Sequence, residues 1–475
     1  MITFIIGLLI LLFGYIFYSA YVEKQFSPDE RKTPAYSVND GVDFVPLSTP
    51  KNLLIHLLNI AGLGPILGVI QGILFGPVAF LLIPLGCVFM GGVHDYFSGM
   101  ISERNNGAQI TDLIKTYLGK IEFRIFLFVV SVMLLLLSAV FVYTSGDIMA
   151  QRFFNQSDFS LTNPVMVTIY VIIALYYIVA ALFPIDKIIG KFYPLFAATL
   201  IIGSLLVVAG FFTNGITLQE FDFAHINNHP KGLHLLPMFF MTISCGLLSG
   251  FHSTQSTIIS RTIKTEKEGK IVFYGMMCVE CLIAMIWAAA TMHVYSSHLV
   301  PENLIGSANV INTIADTFVT PILAFVVTIA VVILPITSGD TALRALRMSI
   351  ADATNIKQNM IINRLKIIVP IAILLLGILY WAKMNPDSFT LIWRYFTFVN
   401  QLIAIPTFLY ATIFLYKNKK NYFITLLPGL FYIFITMSFI FNAKIGFGMP
   451  YIISQWIGVI FAIAGVFYII RKTKK

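Results

Sequence analysis

The sequence predicts an all-α integral membrane protein with about thirteen transmembrane helices. Of the 475 residues, 58% are hydrophobic and only 11% are charged, too few charges to cover a water-soluble protein of this length. Apolar runs of about 20 residues recur along the whole chain, and each can cross a hydrocarbon core of about 30 Å as a helix. The loops between these runs are alternately rich and poor in basic residues. The longest, 22–52, is too short for a soluble domain.

The predicted spans follow one another with short connections. The first has no basic segment before it and is long for the apolar part of a signal peptide, so we expect it to be retained. The seventh is expected to be interrupted. The thirteen spans are 2–22, 53–73, 77–100, 121–146, 164–184, 193–213, 235–262, 271–296, 318–338, 362–382, 388–416, 423–441 and 450–470.

The distribution of basic residues tests this count and predicts the orientation. Of 31 Lys and Arg residues, 26 fall in the loops on one side of the predicted membrane, four in the alternate loops, and Arg394 within a span. A missed or added span in mid-chain would mix the two sets. Because basic loops stay in the cytoplasm, we expect the N-terminus outside and the C-terminus in the cytoplasm. Orientation also accounts for the net charge of +9, so we expect a lipid bilayer and no nucleic acid as partner.

Two copies of the tetrapeptide TSGD indicate an internal repeat. Residues 144–147 are predicted to end span four, and residues 337–340 to end span nine, which runs in the opposite direction. Span seven contains the polar stretch GFHSTQS (250–256), and span two, five spans earlier, contains AGLGPILG (61–68). Glycine and proline together favour a broken helix. Matching breaks in oppositely oriented units are typical of secondary transporters, although Gly and Pro are also common in ordinary membrane helices.

The repeat divides the chain into four parts. We expect an added N-terminal helix and loop (1–52), a first five-helix unit (53–213), a second, inverted five-helix unit (235–416), and peripheral C-terminal helices with a basic tail (423–475).

A break inside a span predicts a binding site, because irregular backbone in a membrane persists only where it lines a cavity or is buried in protein. Helix N-termini suit anionic groups, so the N–H groups at both breaks are expected to bind a substrate carboxylate. Hydroxyls of GFHSTQS are expected to cap the second half of span seven; the simpler alternative is a loop after a short span. The predicted substrate-binding residues are Gly62, Gly64, Gly250, His252, Ser253, Gln255, Arg394 and Asn400.

Charged side chains inside spans are expensive and therefore candidates for function. Glu280 lies near the middle of span eight and is predicted to carry a proton; a structural carboxylate paired with Arg394 or a histidine is the alternative. Arg394 could equally bind a substrate carboxylate or neutralise an internal acid. Asn400 lies two turns further along the same span.

Two further polar groups are predicted to act in coupling. Thr337, Ser338 and Asp340 offer oxygen ligands near the break of span two, suited to sodium, and the carboxylate also suits a proton. His94 and Asp95 lie towards the cytoplasmic end of span three, where they could form a gate or anchor the helix at the interface.

Other function classes lack their signatures. The chain contains no GxxxxGK[ST] phosphate loop and no pattern of a zinc protease or nucleophile elbow, so we expect neither direct ATP driving nor an enzyme. Cys278 and Cys281 form a C-x-x-C pair inside an apolar span, where small residues usually serve helix packing. We therefore expect no metal and no cofactor other than H⁺ or Na⁺ as coupling ion. A channel fits an inverted pair of breaks less well than alternating access.

Several stretches resemble the carbon starvation protein A family of bacterial inner-membrane transporters. The resemblance runs in order from about residue 1 to 416, although many family members are longer and carry extra C-terminal helices. The stretches are DGVDFVP (40–46), HLLNIAGLGPILG (56–68), VHDYFSG (93–99), SCGLLSGFHSTQSTIISRTIKTEKEGKIVFYG (244–275), LPITSGDTALRALR (334–347) and LIWRYFTFVNQ (391–401).

This resemblance implies a cation-coupled secondary transporter that imports a small carbon nutrient under carbon starvation, across the bacterial cytoplasmic membrane. Family members are described as transporters of short peptides, and close relatives as proton-coupled pyruvate carriers, so a short peptide or a small monocarboxylate is the expected substrate. The resemblance also implies kinship with the leucine-transporter fold, whose core is a five-plus-five inverted repeat. Spans two to six would then mirror spans seven to eleven.

Overall fold

The computed structural model describes residues 1–62, 64–156, 158, 160–183, 189–300, 305, 310–385 and 388–474, without the side chains of 189–193 and 388–390. Within these ranges every regular element is a helix. Leu63, in the predicted break of span two, and Pro184, the predicted end of span five, lie outside the described residues.

In the described part of the chain, eleven uninterrupted helices are long and apolar enough to cross a membrane, and one bent pair of half-helices, at predicted span two, brings the number to twelve. Predicted span seven is occupied by two shorter helices with a non-helical segment between them. The uninterrupted spans are Ile2–Phe26, Ala79–Arg104, Lys120–Phe154, Pro164–Leu182, Ile189–Thr213, Glu266–Ser296, Pro321–Thr354, Ile361–Met384, Ser388–Lys417, Phe423–Asn442 and Tyr451–Thr473.

Span two is broken where the sequence predicts it. Half-helix 2a, Thr49–Ile60, and half-helix 2b, Gly64–Phe75, meet at an angle of 51°. Pro65 lies in the first turn of 2b, where its missing N–H would have no helical partner in any case.

Span seven is also broken, but earlier than predicted. Half-helix 7a, Leu235–Thr242, is separated from half-helix 7b, Phe251–Ile259, by the non-helical segment 243–250. Gly246 has a φ of +79°, a left-handed conformation that glycine adopts without strain. GFHSTQS is therefore not the interruption; all but its glycine belongs to 7b.

The hydroxyls of 7b do not cap it, which corrects the second expectation for this stretch. Ser253 Oγ donates to the Gly250 carbonyl (2.6 Å) and Thr254 Oγ1 to the Phe251 carbonyl (2.7 Å). These side chains bond to their own helix and so can be buried in a half-helix without leaving hydroxyl protons unsatisfied.

The two breaks touch each other. A Cβ on Gly64 would lie 2.3 Å from Cys245 Sγ, and a Cβ on Gly68 would lie 3.3 Å from the Thr242 carbonyl oxygen. Only a residue without a side chain allows the start of 2b to approach the break of span seven this closely. The two interruptions therefore form a single irregular region inside the protein.

Two short helices, unrecognised in the sequence, support the inverted repeat. Ile110–Tyr117 follows span three and Val310–Phe318 follows span eight, so each follows the second span of its five-helix unit. The side of the protein with the basic loops is called the basic side below. The Val310–Phe318 helix lies on the opposite side, where Asp316 pairs with Arg152 (3.0 Å) and the Thr317 carbonyl accepts from Asn214 (3.0 Å).

The TSGD motifs lie inside long helices, not at helix ends as predicted. Spans four and nine continue to Phe154 and Thr354. Thr144 Oγ1 donates to the Val140 carbonyl (2.8 Å) and Thr337 Oγ1 to the Ile333 carbonyl (3.0 Å), each four residues earlier in the same helix. The helix therefore satisfies these hydroxyls and passes through the polar motif without ending.

On the basic side, the loop after span one is held by a buried ion pair network. Asp43 lies 3.0 Å from Arg344 Nη1 and 3.1 Å from Arg347 Nη2, and all three side chains are at most 3% exposed. Burial alone would raise the pKa of Asp43, but the guanidinium groups of Arg347 and Arg344 outweigh it and hold that pKa well below its usual range. The carboxylate thus fixes the loop to the end of span nine.

We expect Asp43→Asn to destabilise the protein by about 3–5 kcal/mol, because two buried guanidiniums lose their counter-ion. Thermal unfolding in detergent measures this loss, with Asp29→Asn, in an exposed pair with Arg31, as the low-cost control. Because the folded pKa is lowered, the stabilisation is present above the ordinary carboxyl pKa of about 4. It should shrink only as the pH falls below that value, and a difference that instead disappears between pH 7 and 5 would contradict the ion pair.

Candidate cation and substrate site

A fully buried row of acidic and histidine side chains lies beside the two breaks. His252 in 7b stands between Asp95 of span three and Glu280 of span eight, with His252 Nδ1 3.1 Å from Asp95 Oδ2 and His252 Nε2 3.7 Å from Glu280 Oε2. All three side chains are 0% exposed. These three residues, with His94, are called the acid–histidine cluster below.

Asp95 bridges two histidines. His94 Nδ1 lies 3.1 Å from Asp95 Oδ1, and His252 Nδ1 contacts the other oxygen. When Asp95 is ionised it can only accept hydrogen bonds, so in that state both Nδ1 atoms donate to it, and a neutral ring keeps a lone pair on its Nε2 atom. His94 and Asp95 are buried within the cluster, which does not fit the interfacial anchor, and the gate stays a prediction.

Glu280 is held by the break itself. Its Oε1 accepts a hydrogen bond from the Gly246 backbone N–H (3.2 Å), while Oε2 has no hydrogen-bond partner. Of the two alternatives left by the sequence, the partner of Glu280 is a histidine and not Arg394. Arg394 is exposed and is not placed among these buried side chains.

Asn400 supports the break of span seven. Its Oδ1 accepts from the Phe251 N–H (2.7 Å), and its Nδ2 donates to Ser249 Oγ (3.0 Å). A Cβ on Gly250 would lie 2.0 Å from the Asn400 carbonyl oxygen, so Gly250 allows span eleven to pack closely. Asn400 and Gly250 therefore have structural contacts where substrate contacts were predicted.

Three of the N–H groups expected to bind a substrate carboxylate, those at the start of 7b, are bonded within the protein in this conformation. Besides Phe251 N–H, the N–H of His252 donates to the Ser249 carbonyl and that of Ser253 to the Gly250 carbonyl, both at 3.2 Å. The start of 7b thus has no N–H left for an anion at these three positions.

The remaining predicted residues are buried but divided between two places. Ser338 Oγ donates to the Leu58 carbonyl of 2a (3.2 Å) and would lie 3.2 Å from a Cβ on Gly62, which fits a coupling-cation position at the break. Because successive helical residues turn by 100°, Thr337 points 100° and Asp340 200° away from Ser338. The three side chains therefore do not share one face of the helix and do not converge on one site.

His56, Asn59 and Cys245 were missed or undervalued from the sequence alone, whereas Gln255 was predicted as a site residue. His56 and Asn59 of 2a are fully buried, and neither side chain has a hydrogen-bond partner. Cys245 contributes a thiol within 4.8 Å of donor atoms of His252 and Glu280. Gln255 leaves its Oε1 without a hydrogen bond and donates through Nε2 to Thr254 (2.9 Å). Buried polar atoms without partners are rare, so these side chains are further candidates for contacts with a ligand.

Comparison with known proteins identifies the family. A family model described as "Carbon starvation protein CstA" matches residues 1–163, 142–319 and 300–439. The chain belongs to the CstA family. This confirms the resemblance carried by the quoted stretches.

Relatives of this CstA-family chain include an uncharacterized membrane protein of Haemophilus influenzae, 38% identical over 62% of this chain and 92% of its own. A peptide transporter CstA of Campylobacter jejuni is 25% identical, and the pyruvate/proton symporter BtsT of Escherichia coli is 24% identical, each over 58% of this chain. The matches cover 48% and 46% of those two proteins, so the chain spans about half the length of the relatives named as transporters.

A solved manganese transporter of Eremococcus coleocola shares the fold. It superposes with a TM-score of 0.59 at 12% identity, covering 92% of this chain and 98% of that one. The superposition establishes that the two chains share the architecture of a membrane transporter. Because their sequence identity is so low, it says nothing about the ligand.

We expect Asn400→Ala to destabilise the CstA-family protein by about 1–3 kcal/mol, because it leaves the buried Phe251 N–H without an acceptor. Hydrogen–deuterium exchange should rise in residues 249–253 and the melting temperature should fall. Thr397→Ala, which removes a hydroxyl bonded to a carbonyl of its own helix, is the matched control in the same span. Equal exchange in both variants would show that Asn400 does not hold the break.

Proposed function

We propose that the protein is a secondary active transporter that imports a small carbon nutrient, coupled to a cation at the acid–histidine cluster. Membership of the CstA family supports transport, and two relatives are named as a peptide transporter and a pyruvate/proton symporter. The observation that carries the proposal is the buried row Asp95–His252–Glu280 beside two touching helix breaks. Irregular backbone and ionisable groups deep in a membrane protein are the usual parts of an ion-coupled site.

The charge of the cluster favours cation binding. Asp95 and Glu280 bring two carboxylates, and the ion-pair partners that the described structure gives them are histidines. A charged side chain within a membrane costs at least about 2.5–3.5 kcal/mol, so a proton taken up by Glu280 or His252 relieves a large penalty. We infer that the proton is the coupling ion; sodium, bound near Ser338 and the Leu58 carbonyl, is the alternative.

The negative charge of the acid–histidine cluster also influences which substrate can bind. A short peptide carries an ammonium group that the carboxylates can attract. Pyruvate or another monocarboxylate is an anion and would be repelled until the cluster has bound a cation. Short peptides are therefore the first candidate, and a proton-coupled monocarboxylate symporter, in which the proton binds before the substrate, is the second.

The enclosure of the cluster favours alternating access over a channel. His94, Asp95, His252 and Glu280 are at most 1% exposed, so this conformation is closed around them. We propose that the basic side faces the cytoplasm of a bacterial inner membrane, with the N-terminus outside.

Glu280→Gln should abolish uptake driven by a pH gradient in proteoliposomes and spare counterflow exchange, because an amide cannot carry the proton. Glu122→Gln, at the start of span four and 24% exposed beside Lys472, is the carboxyl-to-amide control and should transport normally. Undiminished pH-driven uptake by Glu280→Gln would remove Glu280 from coupling.

A substrate screen should separate the two candidates. Di- and tripeptides, pyruvate and lactate are tested as labelled substrates under imposed H⁺ or Na⁺ gradients at two pH values. Peptide uptake stimulated by an inward H⁺ gradient is the expected result, and uptake of pyruvate alone would establish the alternative. A gradient-independent flux of every compound would contradict coupled transport.

A further inference from the structure

One group of side chains in this region has the composition of a metal site. Cys245 in the break of span seven, His252 in 7b and Glu280 in span eight each offer one donor atom, and these atoms lie within 4.8 Å of one another. All three residues are buried. The sequence alone predicted no metal, because 35 residues separate Cys245 from Glu280 and the spacing matches no common motif.

Two of the three donor atoms have no hydrogen-bond partner among the described residues. His252 Nε2 and Glu280 Oε2 both lack a hydrogen-bond partner although they are buried, and they lie 3.7 Å apart. A tetrahedral zinc ion, with Zn–N and Zn–O bonds of about 2.0–2.2 Å, holds its nitrogen and oxygen ligands about 3.3–3.5 Å apart. The histidine and glutamate atoms are slightly farther apart than that, and the thiol lies within 4.8 Å of both, so binding an ion would draw the three donors closer together.

The surroundings orient the donors as in established metal sites. Asp95 accepts from His252 Nδ1 (3.1 Å), which leaves the lone pair of Nε2 towards Glu280 and makes the ring more basic. A carboxylate behind a ligand histidine is the common outer partner in zinc sites. The Gly246 N–H holds the other oxygen of Glu280 (3.2 Å), so Oε2 is the oxygen left for the ion.

We propose that Cys245, His252 and Glu280 bind a divalent transition-metal ion of the zinc class. One thiolate, one imidazole and one carboxylate suit Zn²⁺ or Co²⁺, whereas Mg²⁺ and Ca²⁺ prefer oxygen ligands. Three protein donors leave a fourth position open, which a water molecule or a substrate carboxylate can take. Because the thiol of Cys245 releases its proton when it binds the ion, the cluster gains one net positive charge beside the two carboxylates, which weakens the repulsion that an anionic substrate meets.

Cobalt binding to the purified full-length protein in detergent tests the proposal without any transport assay. Co²⁺ should bind once per chain, give a thiolate-to-cobalt charge-transfer band, and be displaced by Zn²⁺ but not by Mg²⁺. Cys245→Ser should lose the band, whereas Cys278→Ser, a buried thiol of span eight, should retain it. Size-exclusion profiles and circular dichroism verify that each variant is folded.

The other donors are tested by affinity. His252→Asn and Glu280→Gln should each weaken Zn²⁺ binding measured by calorimetry. Asp95→Asn, a positioning residue, should weaken it by about 10–100-fold while the cobalt band remains. A band that survives Cys245→Ser, or Zn²⁺ binding unchanged in both His252→Asn and Glu280→Gln, would overturn the site.

The proposed metal site and the proposed transport function can be rejected independently of each other. Absence of Co²⁺ and Zn²⁺ binding by a protein that still shows gradient-driven uptake would reject the metal site and leave coupled transport intact. Stoichiometric metal binding by a protein without coupled uptake would do the reverse.

Discussion

The contact between the two broken spans is the constraint on which the rest of this structure depends. A broken helix inside a membrane leaves N–H and C=O groups that lipid cannot satisfy, each at a cost of several kcal/mol. Here the two breaks cover each other, with Gly64 against Cys245. Span eleven supplies the missing partners: Gln401 donates to the carbonyls of Phe240 (3.0 Å) and Leu248 (3.3 Å), and Asn400 accepts from the backbone of 7b. The side-chain amides of span eleven thus provide hydrogen-bond partners for the irregular backbone of span seven.

The acid–histidine cluster follows from that arrangement. Because the break holds one oxygen of Glu280 and Asp95 holds Nδ1 of His252, the remaining oxygen and Nε2 face each other with their lone pairs free. These lone pairs lie in a buried, negatively charged setting that suits a cation, either a proton or a metal ion. The two proposed cations use the same atoms of His252 and Glu280 and therefore exclude each other there, and the thiol of Cys245 is the donor that only the metal ion requires.

The basic side is closed by contacts between the elements that bear the site. Asn52 at the start of 2a and Thr262 just beyond 7b exchange hydrogen bonds: Thr262 Oγ1 donates to Asn52 Oδ1 (2.8 Å), and Asn52 Nδ2 donates to the Thr262 carbonyl (3.2 Å). The loop after span one adds a bond from Leu47 N–H to the same carbonyl (3.0 Å). An opening of the cluster towards this side has to break these bonds and release the Asp43 network. Polar contacts can be exchanged for water at modest net cost, which suits a surface that opens and closes.

The sequence by itself determined the all-helical membrane architecture, the positions of the eleven uninterrupted spans and the presence of breaks at predicted spans two and seven. The length of an apolar run and the alternation of basic loops are visible in the chain itself, because the bilayer acts on each segment separately. Both can be predicted without knowing which segments pack together. Glu280 could be singled out in the same way, because a carboxylate in the middle of an apolar span is visible in the sequence.

Tertiary structure decided which polar groups meet. The sequence placed the break of span seven at GFHSTQS, gave Arg394 a part in the site and assigned Asn400 to the substrate. Only packing shows that the hydroxyls bond to their own helix, that Arg394 is exposed and that Asn400 holds the backbone. The pairing of His252 with Asp95, 157 residues apart in the chain, depends on how spans three, seven and eight pack, and that is fixed by side-chain complementarity that no local pattern encodes.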